Sequence, residues 1–147
     1  MILMLDSNIL IDRLFQREPH YEMSSRVCLL GMFGDAELYI SINMLTDIIY
    51  ILRKRYASQE LQELLLENLR FLKLCGISAE DGTHCLRQKW DDFEDCLVAR
   101  CAENVRADYI ITRDKTGFTK SLVPAITPTE LFALLEKHNG LTYQEIN

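Results

Sequence analysis

Met1-Ile2-Leu3-Met4-Leu5-Asp6-Ser7-Asn8-Ile9-Leu10-Ile11 opens the chain with five apolar residues, an acid, a polar pair and a second apolar run. A short apolar run bounded in this way reads as a buried strand, and Asp6 is the carboxylate it delivers to its C-terminal end. In an open α/β sheet, ligands bind in the crevice outside the carboxyl ends of the strands. Asp108-Tyr109-Ile110-Ile111-Thr112 repeats the pattern and runs into Arg113-Asp114. Two strands of one sheet that both end in aspartate predict a shared acidic pocket.

Outward from the first strand the elements alternate. A helix opening near Ser7 or Asn8 carries Ile9, Leu10, Ile11 and Leu14 to about Phe15, with Ser7 as its cap. A second helix runs from about Tyr21 to Met32, and a short strand follows at Leu38-Tyr39-Ile40-Ser41. The stripe Met44, Leu45, Ile48, Ile49, Ile51 and Leu52 predicts a helix from Asn43 to Tyr56. Ser58 is read as the cap of a long leucine-bearing helix, and a third strand lies within Phe71 to Ile77. Ser78 and Asp81 have capping-box spacing for a helix from about Glu80 to Gln88, and Asp92 looks like the cap of Phe93 to Asn104.

After the strand Tyr109 to Thr112 and a polar loop, Pro124-Ala125-Ile126 reads as a short edge strand. Thr127-Pro128-Thr129-Glu130 joins a capping box to proline at the first helical position and starts a last helix that ends before Gly140. Strands separated by helices imply an α/β fold: one domain over 1–147, with a central, mainly parallel twisted sheet of four to five strands, helices on both faces, and a tail over 139–147.

Composition limits the function classes. A chain of 147 residues with 48% hydrophobic residues, six glycines and three prolines is one ordinary domain without linker or repeat. Asp6 interrupts the first apolar run too soon for a secretory signal, and no run approaches a membrane span, so a soluble cytoplasmic protein is expected. Five cysteines without a CxxC pair argue against a disulfide framework or structural zinc and read as small buried groups. The net charge of −6 leaves no broad basic surface. A nucleic-acid partner would have to be held locally or through metal. His20, His84 and His138 fall outside every motif and receive no catalytic role.

Two more acids join Asp6 and Asp114 as candidates. Asp95 sits in the first turn of a helix that packs through Leu97, Val98, Cys101 and Ala102, and Asp47 lies inside a helix, where aspartate is a poor former. Each has a plain structural reading: a cap for Asp6, a favourable first-turn charge for Asp95, an exposed polar face for Asp47. Gathered together they mean more. Like charges ~4 Å apart repel by about 4 kcal/mol at an effective dielectric near 20, so such a cluster calls for a cation. Oxygen ligands without cysteine or histidine select Mg²⁺ or Mn²⁺. Ser7, Asn8 and Thr112 are placed to support the acids, with capping and strand-end bonding as the ordinary alternatives. Arg113 and Lys115 are candidates for guiding a nucleic-acid backbone, and Trp90 is a candidate stacking platform whose ordinary role would be packing.

Three segments carry a family resemblance: Leu5-Asp6-Ser7-Asn8-Ile9-Leu10-Ile11-Asp12, Asp92-Phe93-Glu94-Asp95-Cys96-Leu97-Val98-Ala99 and Ala107-Asp108-Tyr109-Ile110-Ile111-Thr112-Arg113-Asp114. In order and spacing the chain resembles the PIN domain, especially VapC-like toxin ribonucleases. The resemblance implies a metal-dependent endoribonuclease, often dimeric and often held in check by an antitoxin from the same operon. It makes Asp6, Asp95 and Asp114 the metal-binding acids. The family commonly has a glutamate on the third helix; Asp47, one methylene shorter, takes that place and suits a water-bridged role. A phosphorelay receiver would need an acidic pair at the first strand end, and a haloacid-dehalogenase-type phosphatase a second aspartate where Asn8 stands. The remaining rival is a PIN-like domain, weak or inactive as a catalyst, that serves as a binding scaffold.

Overall fold

The computed structural model describes residues 1–139. Five strands, β1 (Ile2–Leu5), β2 (Glu37–Ser41), β3 (Leu72–Cys75), β4 (Tyr109–Ile111) and β5 (Ala125–Ile126), form one sheet in the order β3-β2-β1-β4-β5. Every pairing is parallel, with Leu3 opposite Leu38 on one side and Tyr109 on the other. The central strand β1 carries Leu3, Met4 and Leu5, all fully buried, as a strand covered on both faces requires.

Among the described residues six helices connect the strands, α1 (Ser7–Phe15), α2 (Tyr21–Met32), α3 (Asn43–Leu52), α4 (Ser58–Asn68), α5 (Ala79–Gln88) and α6 (Phe93–Asn104), and a seventh, α7 (Pro128–Asn139), follows β5. The chain moves outward from β1 to β2 and β3, then returns past β1 to lay down β4. Right-handed crossovers that reverse direction put their helices on opposite faces. Accordingly α1, α2, α3, α4 and α7 pack among themselves, while α5 and α6 pack together and α6 lies across β1, β2 and β4. The reversal puts a topological switch point between β1 and β4, where open sheets keep their ligand crevice.

Several local expectations need correction. Asp6, not Ser7, is the N-cap of α1: it keeps the extended backbone of β1 (φ −74°, ψ 153°) and its side chain accepts from the Ser7 amide, 2.7 Å away. Ser58 is likewise the first residue of α4, whose start is tied by Glu60 accepting from the Ala57 amide. Helix α3 stops at Leu52 instead of Tyr56, since Leu52 is the last fully buried position of the stripe and Arg53, Lys54 and Arg55 are exposed. The polar loop after β4 contains a 3₁₀ turn, Lys115–Phe118, pinned by the buried Phe118.

Other caps form as read. Ser78 and Asp81 bond reciprocally at α5, Asp92 Oδ1 accepts from the Glu94 and Asp95 amides at α6, and Thr127 and Glu130 close the capping box at α7. All five cysteines are buried free thiols. Among the described residues no helix is long and apolar enough to cross a membrane. The tail expected over 139–147 lies outside them beyond Asn139, the end of α7.

Candidate active site

Asp6 leaves β1 at the switch point with its carboxylate held on three sides. The Ser7 amide donates to Oδ1, while the Thr112 hydroxyl (2.8 Å) and the Asn8 amide (3.1 Å) donate to Oδ2. Thr112, fully buried just past β4, also accepts from the Asp114 amide, so one hydroxyl ties the two acidic strand ends together. Asn8 adds a longer tie through its Oδ1 to the Arg113 amide. Burial raises the Asp6 carboxyl above its ordinary value, Thr112 and Ser7 oppose that rise, and the nearby Asp92 adds to it.

Asp114 is turned toward Thr116, whose amide and hydroxyl both donate to its Oδ1 and hold its carboxyl below the usual range. Asp95 rises toward the same place from the first turn of α6. Its carboxyl is pushed up to about 6, first by burial and then by the charges of Asp92, Asp6, Asp114 and Glu94. The Asp95 carboxylate rests against Gly117: a Cβ added there would lie 2.1 Å from Oδ2. Only glycine leaves this side of the acid open.

Asp47 enters from α3 on the far side. Its charge, after burial, helps raise Glu94, which also feels Asp92 and Asp6. Sequence reading passed over Glu94, although the Asp92-Phe93-Glu94-Asp95 spacing puts it one position before Asp95 in the same first turn. Asp12 was also passed over. It is fully buried on α1, and Arg113 Nε lies 2.7 Å from its Oδ2 without directing a hydrogen bond at either oxygen. Burial raises the Asp12 carboxyl, and Arg113, His20 and Arg17 oppose the rise.

The other two candidate nucleic-acid contacts are engaged as well. Lys115 pairs with Glu130 at 2.6 Å. Trp90 packs against Cys85, Cys96 and Leu97, and its remaining surface lines a hollow of about 340 Å³ with Asp92, Thr116, Gly117 and Lys120. Another hollow, about 620 Å³ beside Arg13, Tyr21, Asn68 and Phe71, is lined by none of these acids.

The donor set suits a hard divalent cation. It consists of carboxylates that repel one another, and among the described residues no hydrogen-bond donor reaches the Asp95 carboxylate. The acids are not drawn into a finished ligand shell: among the described residues no three acid, histidine or cysteine side chains converge closely enough to form one. Asp6 and Asp114 have their side chains fixed by Thr112 and Thr116, whereas Asp95 is held by packing alone.

A family model described as PIN domain matches residues 3–116, which takes in β1, all the acids and the start of the 3₁₀ turn. The chain belongs to the PIN domain family. No curated protein matches the sequence. Among solved structures, this PIN domain is similar to VapBC2 from Rickettsia felis bound to a DNA fragment from its promoter, at 21% identity and TM-score 0.64, over 86% of this chain and 98% of that one. A toxin-antitoxin complex from Klebsiella pneumoniae matches at 22% identity and TM-score 0.60, covering 86% and 97%. FitAcB from Neisseria gonorrhoeae matches at 17% and 0.54, covering 88% and 99%. At these identities the likeness establishes a shared PIN fold, and the five-stranded parallel sheet with seven helices agrees with it.

Proposed function

We propose that this PIN domain is a Mg²⁺- or Mn²⁺-dependent endoribonuclease, the VapC-like toxin of a toxin-antitoxin pair. The observation that carries the reading is that Asp92, Asp6, Asp114 and Glu94 all bear on Asp95 beside the β1/β4 switch point, where burial and these charges push its carboxyl up to about 6. Titratable groups shifted by desolvation and by named charges in a cleft mark candidate functional sites. In this reading Asp6, Asp95 and Asp114 hold the metal, and Asp47 and Glu94 act through water. A bound divalent cation would supply Lewis acidity and an activated water for in-line attack on a phosphodiester.

The protein's own part is orientation. Thr112 fixes Asp6 and the Asp114 backbone together, Thr116 fixes the Asp114 carboxylate, and Ser7 and Asn8 keep Asp6 from rotating. Lys115, half exposed and paired with an equally exposed Glu130, can exchange that partner for an RNA phosphate. The Trp90 edge of the neighbouring hollow can take a base. A cognate antitoxin, a homodimer and action in the cytoplasm belong to the same proposal; the toxin-antitoxin complexes among the similar structures support the first of these.

A scaffold without catalysis is the second reading. The absence of a finished ligand shell among the described residues favours it. Incubating the protein and an Asp114→Asn variant with total cellular RNA in Mn²⁺ or Mg²⁺, with EDTA as control, separates the two. Metal-dependent cleavage that disappears in the variant supports the nuclease. No cleavage, together with no metal binding by calorimetry, gives the scaffold.

A further inference from the structure

Arg113 stands between Thr112 and Asp114, so whatever its side chain borders lies next to the acid cluster along the sheet edge. It borders a hollow of about 270 Å³, whose polar lining is completed by His20, Ser24, Thr127 and Thr129. The polar groups of this lining are a guanidinium, an imidazole and three hydroxyls, and no lining residue is an acid. Two acids bond to the lining from outside it: Asp12 lies against Arg113 Nε and balances part of its charge, and Glu130 is taken by Lys115 and the Thr127 amide. Thr129 lies in the first turn of the twelve-residue helix α7, where the helix dipole favours an anion.

The second, independent sign is Ser24. Its hydroxyl is buried, the residue being 1% exposed, and has no hydrogen-bond partner. Buried hydroxyls are nearly always satisfied, so this one, left over behind the wall of the hollow with almost no accessible surface, is a donor that an acceptor seated there would have to draw outward. A compact anion with several oxygens can meet His20, Thr129 and the part of the Arg113 guanidinium that Asp12 leaves free, and a guanidinium suits phosphate.

We propose that this hollow seats a backbone phosphate of single-stranded RNA, next to the phosphodiester presented to the acids. This rests on the nuclease reading above. It makes Arg113 a shared element, its backbone tied into the acid site through Asn8 and its side chain into the phosphate seat.

The test is binding of a short fluorescein-labelled single-stranded RNA to the full chain in EDTA, over a salt series. The variants are Thr129→Glu and His20→Ala. Thr129 is exposed, and glutamate suits the first helical turn, so the first variant keeps its fold, which its melting temperature checks. Both variants are expected to bind about tenfold more weakly, with the salt slope smaller by roughly 0.7 for the lost phosphate contact. Inorganic phosphate should compete with RNA on the parent protein and less well on Thr129→Glu.

Parental affinity and slope in both variants would overturn the proposal, as would a parent protein that does not bind RNA. Loss of phosphate binding with RNA binding unchanged would make this a site for a free anion. Unchanged RNA binding with loss of a poly-glutamate peptide would assign it to an acidic protein segment. Either of these also overturns it. Cleavage is scored separately: RNA binding that weakens in the variants while the parent fails to cut in Mn²⁺ sinks the nuclease reading and keeps the seat.

Discussion

Helix α6 serves two acids in opposite ways. Near its middle and end, Arg100 and Asn104 both donate to Asp81 Oδ1, and the Ser78 amide donates to Oδ2. These bonds, the Ser78 amide first, hold the Asp81 carboxyl well below the usual range. At the start of the same helix, Asp95 faces four other carboxylates and is pushed up to about 6, burial being the main cause. Asp81 is buried and Asp95 partly exposed, yet burial prevails only at Asp95, where no donor among the described residues offsets it. The donors make the difference: an acid surrounded by N–H groups joins elements, and an acid surrounded by acids is the one the proposed nuclease reading assigns to a cation.

The contrast fails at once if the two acids behave alike on substitution. Asp114→Asn or Asp95→Asn should lower metal-dependent RNA cleavage by roughly a hundredfold or more, since even outer-shell partners of metal ligands cost 10–100-fold. Circular dichroism melting should find both variants folded. Asp81→Ala should do the reverse. Leaving Arg100 and Asn104 without their shared acceptor should cost about 1–2 kcal/mol in urea unfolding, the modest end for charged hydrogen bonds because Arg100 is a quarter exposed. Cleavage per folded molecule should not change.

Gly117→Ala sharpens the comparison, because it alters the space beside Asp95 and leaves every acid in place. The added methyl group forces the carboxylate aside, and Mn²⁺ affinity by calorimetry should fall about tenfold. An unchanged affinity would mean that the close approach has no functional weight.

A smaller effect should appear with pH. The fold raises the Asp95 carboxyl from 3.8 to about 6, so the native state favours its neutral form. That stabilisation is full below about pH 4 and is lost as the pH climbs through about 6. Metal-free protein should therefore lose about 1 kcal/mol relative to Asp95→Asn across this window, allowing for solvent screening at a partly open site. Added Mn²⁺ should reverse the loss at neutral pH, and cation affinity should weaken below about pH 6. Asp81 has the opposite sign: its contribution is present above the unfolded value and lost as the pH falls toward strong acid.

The sheet was legible because its strands are short apolar runs that end in polar residues. Helices α2 and α6 begin and end where the sequence placed them, α6 with Asp92 as its cap. Ends that depend on tertiary burial were not, as at Leu52, nor was the choice of Asp6 over Ser7 as cap, since both residues are good caps and only the exit angle of β1 decides between them. In the site, Asp6, Asp95 and Asp114 could be read because a strand or helix end presents each one. Glu94, Gly117 and the Asp12–Arg113 pair could not. Their roles arise from approaches across the fold, such as the one between α6 and the turn after β4, and no spacing along the chain encodes these distances.

The strand order has a temporal meaning as well. Strand β1 is synthesised well before its neighbour β4, so Asp6 has no Thr112 or Asp114 beside it until β4 has emerged. A nascent or prematurely terminated chain thus carries its first acid without the site. Under the proposed nuclease reading, cleavage cannot begin before β4 has been made.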